Sequence, residues 1–203
     1  MSFSRVCFLT IFIPLFVSTG CIAQNYSSDV NWLIDVLELK EGSVVADIGA
    51  GDGDQTLAIA RHIRSKGQIY STELGTESVR ELREEIKQSS LDNITVLEGH
   101  PNRTNLPAEC CDAIYLRRVY HHFGNPDSMN TSLLESLKPG GRLAVIDFEP
   151  RGSEAEPGER TSGSQHGVTN KTVVTELERA GFELISNNQN GRNIYIVMRK
   201  PAN

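Results

Sequence analysis

The chain has 203 residues, 38% of them hydrophobic and 23% charged, with 17 glycines and 8 prolines, a globular composition that excludes the collagen-like and disordered classes. That length suits one α/β domain around a single core. The formal charge of −6 lacks the basic surplus of proteins that neutralise a phosphate backbone, so nucleic acid is not an expected partner.

Residues 1–23 read as an export signal. Arg5 precedes an apolar run from Val6 to Val17, and the small residues Ser18, Thr19 and Gly20 follow. The run is shorter than the ~20 residues that span a bilayer, and Pro14 interrupts it. Two kinds of processing fit: cleavage after Ala23, ahead of Gln24, or lipidation of Cys21 as in a bacterial lipoprotein, although Ser18 stands where that signal carries a branched aliphatic residue. Residues 24–203 form the expected domain. Its expected location is exported, either periplasmic or tethered to the membrane through Cys21. Asn25 and Asn93 lie in Asn-x-Ser/Thr triplets, which matter only in a eukaryotic secretory route.

Apolar periods of two and 3.6 alternate along the body, the pattern of a parallel sheet covered by helices. Asp29 is placed to cap a helix whose Val30, Leu33, Ile34 and Leu37 face inward, and a strand follows at Ser43–Asp47. After a glycine-rich turn the pattern predicts a helix over Asp54–Ser65, a strand over Gln68–Glu73 and a surface helix over Glu77–Gln88, with Val79, Leu82 and Ile86 inward. Strand Ile94–Glu98 gives way to a polar loop, and strand Asp112–Leu116 leads into Arg117–Gly124. A helix from near Pro126 is stopped by Lys138-Pro139-Gly140-Gly141, and the apolar run Arg142–Phe148 reads as a central strand. Glu149–Val168, rich in Gly, Ser, Glu and Pro, is a long loop expected to act as a mobile cover over the pocket. Helix Asn170–Ala180 ends at Gly181, and strands Phe182–Ser186 and Asn193–Met198 close a hairpin around Asn190-Gly191.

Of four cysteines, Cys7 and Cys21 fall in the N-terminal segment. The body's adjacent Cys110 and Cys111 supply no disulfide framework and are expected to pack at a strand edge. No metal site is expected. His121 and His122 are neighbours, so on a helix or a strand their rings diverge. The chain also lacks the Gly-x-Ser-x-Gly nucleophile turn of α/β hydrolases.

The segment Val44-Val45-Ala46-Asp47-Ile48-Gly49-Ala50-Gly51-Asp52-Gly53 places glycines at a strand–turn–helix junction, where positive φ and close backbone approach to a ligand are needed. A dinucleotide turn requires glycine at position 54, which is Asp54. The carboxylate of Asp47 would repel a pyrophosphate and suits a ligand that carries an ammonium. Glu73, at the end of the second strand, is placed to accept both hydroxyls of a ribose.

This arrangement resembles the class I S-adenosylmethionine-dependent methyltransferases over about Asp29 to Arg199, including the Lys138–Leu143 step and the terminal hairpin. It is most similar to a bacterial, signal-bearing group with Val-Tyr-His-His-Phe after the fourth strand, here Val119 to Phe123. The resemblance implies a Rossmann-like α/β fold with helices on both faces of a seven-stranded, mostly parallel sheet in the order 3-2-1-4-5-7-6, strand 7 antiparallel. It implies S-adenosylmethionine as cofactor, with Asp47, Gly49, Ala50, Gly51 and Gly53 around the methionine part, Glu73 at the ribose and Leu74 near the adenine. Gly99-His100-Pro101 departs from the Gly-Asp-Ala-like turn that many relatives place beside the adenine amino group.

Methyl transfer from a sulfonium is an in-line displacement, so positioning dominates and a base is required only when the nucleophile starts protonated. Tyr120, His121 and His122 follow the fourth strand at the carboxyl edge and are the candidate catalytic residues. Asp147, Glu149 and His166 border the acceptor side, while Asp112 reads as a local hydrogen-bonding residue. The expected acceptor is a small molecule. Two other readings stand beside methyl transfer: a non-catalytic S-adenosyl binder and a nicotinamide-dependent oxidoreductase, the latter opposed by Gly51-Asp52-Gly53-Asp54. Export conflicts with a cofactor made in the cytoplasm.

Overall fold

The structure, a computed structural model, describes residues 27–202; the expected export signal, with Cys7 and Cys21, and Asn25 lie outside the described residues. Seven strands form one sheet, ordered β3-β2-β1-β4-β5-β7-β6. They are β1 (Val44–Ile48), β2 (Gln68–Glu73), β3 (Ile94–Glu98), β4 (Cys111–Arg117), β5 (Leu137–Phe148), β6 (Glu183–Asn190) and β7 (Asn193–Arg199). All neighbours pair in parallel except β7, which runs antiparallel to both β5 and β6. This is the fold that the sequence predicts.

Strand alternation divides the core between two helical layers. On β1, Val45 faces α1 (Ser28–Val36) and α2 (Asp54–Ile63), where Leu33, Ile59 and Ile63 are wholly buried. Ala46 and Ile48 face the opposite side, under Met129 and Leu133 of α4 (Pro126–Ser136) and Val173 and Leu177 of α5 (Asn170–Arg179). Leu82 and Ile86 of α3 (Thr76–Gln88) meet Leu57 of α2 beside the sheet edge. Each fully buried aliphatic side chain contributes about 1.5–3 kcal/mol. Because β2 and β4 flank β1 on opposite sides, the chain reverses direction of travel there, and a crevice opens above the carboxyl ends of these strands.

Several local expectations are corrected. Ser27, not Asp29, caps α1, its hydroxyl accepting from the Val30 amide at 3.3 Å, while Asp29 pairs with Arg117 at 2.7 Å. Helix α4 ends at Ser136, and Lys138-Pro139-Gly140-Gly141 forms a bulge inside β5, between the Cys111–Leu137 and Ala113–Arg142 pairs. A bulge leaves ladder positions unpaired, which suits a proline without an N–H. Cys111 is buried at the head of β4, and both Cys110 and Cys111 are free thiols. Asp112 accepts from the Val44 amide at 2.7 Å and from Lys138 at 2.6 Å, a local role as expected. Asn93 donates from Nδ2 to the Ala60 and Arg64 carbonyls, both at 2.9 Å, and is buried, so this folded chain does not present it as a glycan acceptor.

The loop after β5 is tied down instead of being a free cover. Arg160 is buried and donates to the Ala155 carbonyl at 3.1 Å and to Glu176 of α5 at 3.1 Å. Backbone bonds Gly152 to Ser164 (2.8 Å), Gly167 to Arg160 (3.0 Å) and Val168 to Phe148 (3.0 Å) close the loop on itself and on β5.

Candidate functional site

A cavity of about 520 Å³ occupies the crevice, with walls from Gly49, Glu73, Leu74, the Gly99–Thr104 loop, Arg118 and His122. That size falls in the small-molecule range. Ile48 and Gly49, at the entry to the glycine turn, contribute to its lining. The Gly49 amide bonds the Thr72 carbonyl at 3.0 Å, and a Cβ at Gly49, whose φ is +72°, would stand 2.6 Å from Val119. At Gly51, with φ +57°, a Cβ would meet nothing within 4 Å and the amide is taken by Glu73, so the positive φ alone calls for glycine there. Gly53 has a packing role, since a Cβ there would sit 2.8 Å from Leu82, and Ala50 is buried behind the turn.

Glu73 ties the glycine turn to the end of β2. Its carboxylate accepts from the Gly51 amide at 2.7 Å and from the Leu74 amide at 2.8 Å. A carboxylate has about four lone-pair positions, so hydroxyls can still be received. Leu74 is 50% exposed beside it, an apolar lip next to Gly99 and His100 of the opposite wall.

Asp47 is placed differently from the expectation of direct ligand contact. It is 2% exposed, beneath the turn, and its Oδ2 accepts from the Thr56 hydroxyl at 2.6 Å and the Tyr115 hydroxyl at 2.7 Å. Its carboxyl therefore ties β1 to α2 and β4. Burial raises its pKa from 3.8 to about 6, against the Thr56 and Tyr115 hydroxyls, which lower it. A raised carboxyl favours the folded state when protonated. Its stabilisation is complete below pH 3.8 and is lost as the pH rises through about 6. Asp47→Asn cannot ionise, so its stability relative to the parent should improve by about 2–3 kcal/mol between pH 4 and pH 7. Urea midpoints across that range are the check, and a pH-independent difference would contradict the buried-charge account.

The candidate catalytic residues separate in space. Tyr120 is wholly buried, away from the cavity; its hydroxyl donates to Glu176 at 2.9 Å and accepts from Asn130 at 2.7 Å. Burial first, and the Glu176 charge next, raise its pKa well above 10, so it stays protonated. The structure thus places this candidate in a buried hydrogen-bond network, not among the residues that line the cavity. His121 is 2% exposed and is not among the residues that line the cavity, with Nδ1 2.8 Å from Asp147. His122, the next residue on the same short 3-10 turn, is exposed and lines the cavity. Partial burial, then the neighbouring His121, lower its pKa, against Asp147, which raises it.

The tertiary structure adds contacts that sequence reasoning did not assemble. His166 of the long loop places Nε2 3.1 Å from Nε2 of His121. Arg118 and Arg192 stand over the Phe148 ring at 6.0 and 5.4 Å from its centre. Arg118 has φ +58°, uncommon for a residue with a Cβ, with its amide held to the Ile146 carbonyl at 2.7 Å. Clustering of histidines and arginines just beyond strand ends was the available signal. Glu149, bonded to Gln189 at 2.9 Å, belongs to the β6 side of the loop instead. Among the described residues, no group of three or more His, Cys, Asp or Glu side chains is placed to hold a metal ion.

Ubiquinone/menaquinone biosynthesis C-methyltransferase of Vibrio vulnificus is 26% identical over 116 residues, 57% of this chain and 45% of that protein. Protein-L-isoaspartate O-methyltransferase of Ignicoccus hospitalis is 27% identical over 122 residues, 60% of this chain and 55% of that protein. The chain thus spans about half the length of these curated relatives. Among solved structures, a SAM-dependent methyltransferase from Aquifex aeolicus has the same fold, with a TM-score of 0.73 at 24% identity, covering 85% of this chain and 89% of that one. Residues 39–190 match the methyltransferase domain model; that span runs from the approach to β1 to the end of β6 and holds the glycine turn, Glu73 and the turn after β4, and the chain belongs to the methyltransferase domain family, with the class I fold of its S-adenosylmethionine-dependent relatives.

Proposed function

We propose that this chain transfers a methyl group from S-adenosylmethionine to a small-molecule acceptor. The observation that carries the reading is the crevice beside the glycine turn: Gly49 and the Glu73 carboxylate, which holds the Gly51 amide, on one side, His122 and Arg118 on the other. Gly49, Gly51, Glu73 and Leu74 are the residues that would hold the cofactor, which supplies an activated methyl group. Asp47 keeps the turn in place from below. The acceptor then lies toward His122, Arg118 and Phe148, and membership in the signal-bearing group with Val119–Phe123 belongs to the same proposal.

Isothermal calorimetry on the full chain tests the cofactor. S-adenosylhomocysteine should bind and NAD should not, because position 54 is Asp54 where a dinucleotide turn needs glycine. NAD binding without S-adenosyl binding would overturn the reading. The same proposal includes export through residues 1–23; fractionation of tagged chains with and without this segment should move the protein from envelope to cytoplasm, and an unchanged distribution would refute it.

A further inference from the structure

We propose that Asp147, His121 and His166 form a proton relay in which His166 takes the proton of a hydroxyl-bearing acceptor. The inference rests on the methyl-transfer reading and deepens it. Asp147 is 1% exposed at the end of β5 and its carboxylate faces only donors: the Phe148 amide to Oδ1 at 2.9 Å, the His121 amide to Oδ2 at 3.2 Å, and His121 Nδ1 to Oδ1 at 2.8 Å. An acceptor-only carboxylate requires His121 to carry hydrogen on Nδ1. The contact of 3.1 Å between the Nε2 atoms of His121 and His166 then needs one hydrogen, held by one ring or the other. With His121 neutral, that hydrogen is on His166 Nε2, and His166 Nδ1 keeps its lone pair. That Nδ1 makes no hydrogen bond among the described residues.

The ring of His166 is half-buried, packed edge-on to His121 at 4.9 Å and to Phe148 at 5.0 Å, and its centre is 6.5 Å from that of His122 on the cavity wall. The loop bond from the Gly167 amide to Arg160 holds it there. Other groups facing the pair are His122 on the same turn, Arg118 after β4 and Arg192 between β6 and β7, both over Phe148, with Glu73 acting on His122 from β2. Among the described residues neither arginine forms an ion pair, so two guanidinium groups are available to an oxygen that becomes anionic beside Phe148.

The step balances. The acceptor's O–H bond breaks with its electron pair left on oxygen, and that pair forms the bond to the methyl carbon, which has left its C–S pair on sulfur. The proton passes to His166 Nδ1, the Nε2 hydrogen of His166 passes to Nε2 of His121, and one positive charge ends on His121 beside ionised Asp147. Solvent removes the proton afterwards. His166 is the catalytic residue in this scheme; His121 and Asp147 are positioning residues that act through it. A relay of this kind serves a nucleophile that starts protonated, hence a phenolic or enolic hydroxyl in preference to a free amine.

Two-bond proton–nitrogen correlation spectra of the full chain, labelled with ¹⁵N-histidine and titrated from pH 5 to 9, test the relay. At high pH His121 should show hydrogen on Nδ1 and His166 hydrogen on Nε2, and both rings should take up a single proton with a common midpoint. Asp147→Asn should lower that midpoint by about 1 unit or more, because an opposite charge is removed. His166→Gln should leave His121 with a changed midpoint of its own. Hydrogen on Nε2 of His121 at high pH, or separate midpoints insensitive to both variants, would overturn the relay while S-adenosylhomocysteine binding left methyl transfer standing. Failure of the parent chain to bind S-adenosylhomocysteine would instead overturn the methyl-transfer reading, and with it the acceptor's role in the relay.

Discussion

Replacing Arg160 by alanine is expected to lower the unfolding free energy by about 3–5 kcal/mol, the cost of leaving a buried charge without its partner. Arg160 is 3% exposed, and Glu176, to which it donates at 3.1 Å, is 7% exposed. The other oxygen of Glu176 accepts from Tyr120, whose hydroxyl in turn accepts from Asn130. One guanidinium thus secures the loop after β5, α5, the 3-10 turn and α4. The alanine variant leaves the buried Glu176 carboxylate with the Tyr120 hydroxyl but without its counter-charge. Urea unfolding measures the loss. Changing both partners to methionine, Arg160→Met with Glu176→Met, removes the desolvation costs of this pair and should recover part of it, while Glu154, 3.5 Å from Arg160, still loses its cation. Amides of Gly152 and Gly167 should also exchange faster in Arg160→Ala, since their bonds depend on the anchored loop. A midpoint within about 0.5 kcal/mol of the parent would show that the loop is not tied through this network.

Glu73→Ala should weaken S-adenosylhomocysteine binding about 10- to 150-fold, equivalent to about 1.5–3 kcal/mol. Two losses combine. The carboxylate is the expected ribose acceptor, and it also holds the Gly51 amide at 2.7 Å and the Leu74 amide at 2.8 Å, fixing the open turn and the apolar lip relative to each other. Glu73→Gln separates them, because its amide oxygen can keep one backbone bond while the charge and the second acceptor are gone; its affinity should fall between those of the parent and the alanine variant. Calorimetry on folded variants is the measurement. An alanine variant that binds like the parent removes Glu73 from the site.

Local chemistry made most of the architecture legible without coordinates. Strands Gln68–Glu73 and Ile94–Glu98 lie where period-two patterning puts them, and the helix over Asn170–Arg179 is bounded by Thr169, whose hydroxyl caps it, and by Gly181. Boundaries that depend on a neighbour were misread: the Pro139-Gly140-Gly141 step looks like a helix stop in one dimension, but the adjacent β4 and β7 turn it into a strand bulge.

The turn that opens the crevice was equally readable, because positive φ at Gly49 and Gly51 is a requirement of the backbone itself. Side-chain roles around it were not. Asp47, Tyr120 and His121 sit at the carboxyl ends of strands and look alike in sequence, yet packing buries all three, commits the first to Thr56 and Tyr115, gives the second to Glu176, and leaves His122 on the cavity wall. His121 meets Asp147 across 26 positions and His166 across 45. No periodicity records such a pairing, since it depends on where the Arg160-anchored loop comes to rest over β5. Local patterning carries the strands and the glycine turn, whereas long-range packing sets which histidine lines the crevice and which is buried against Asp147.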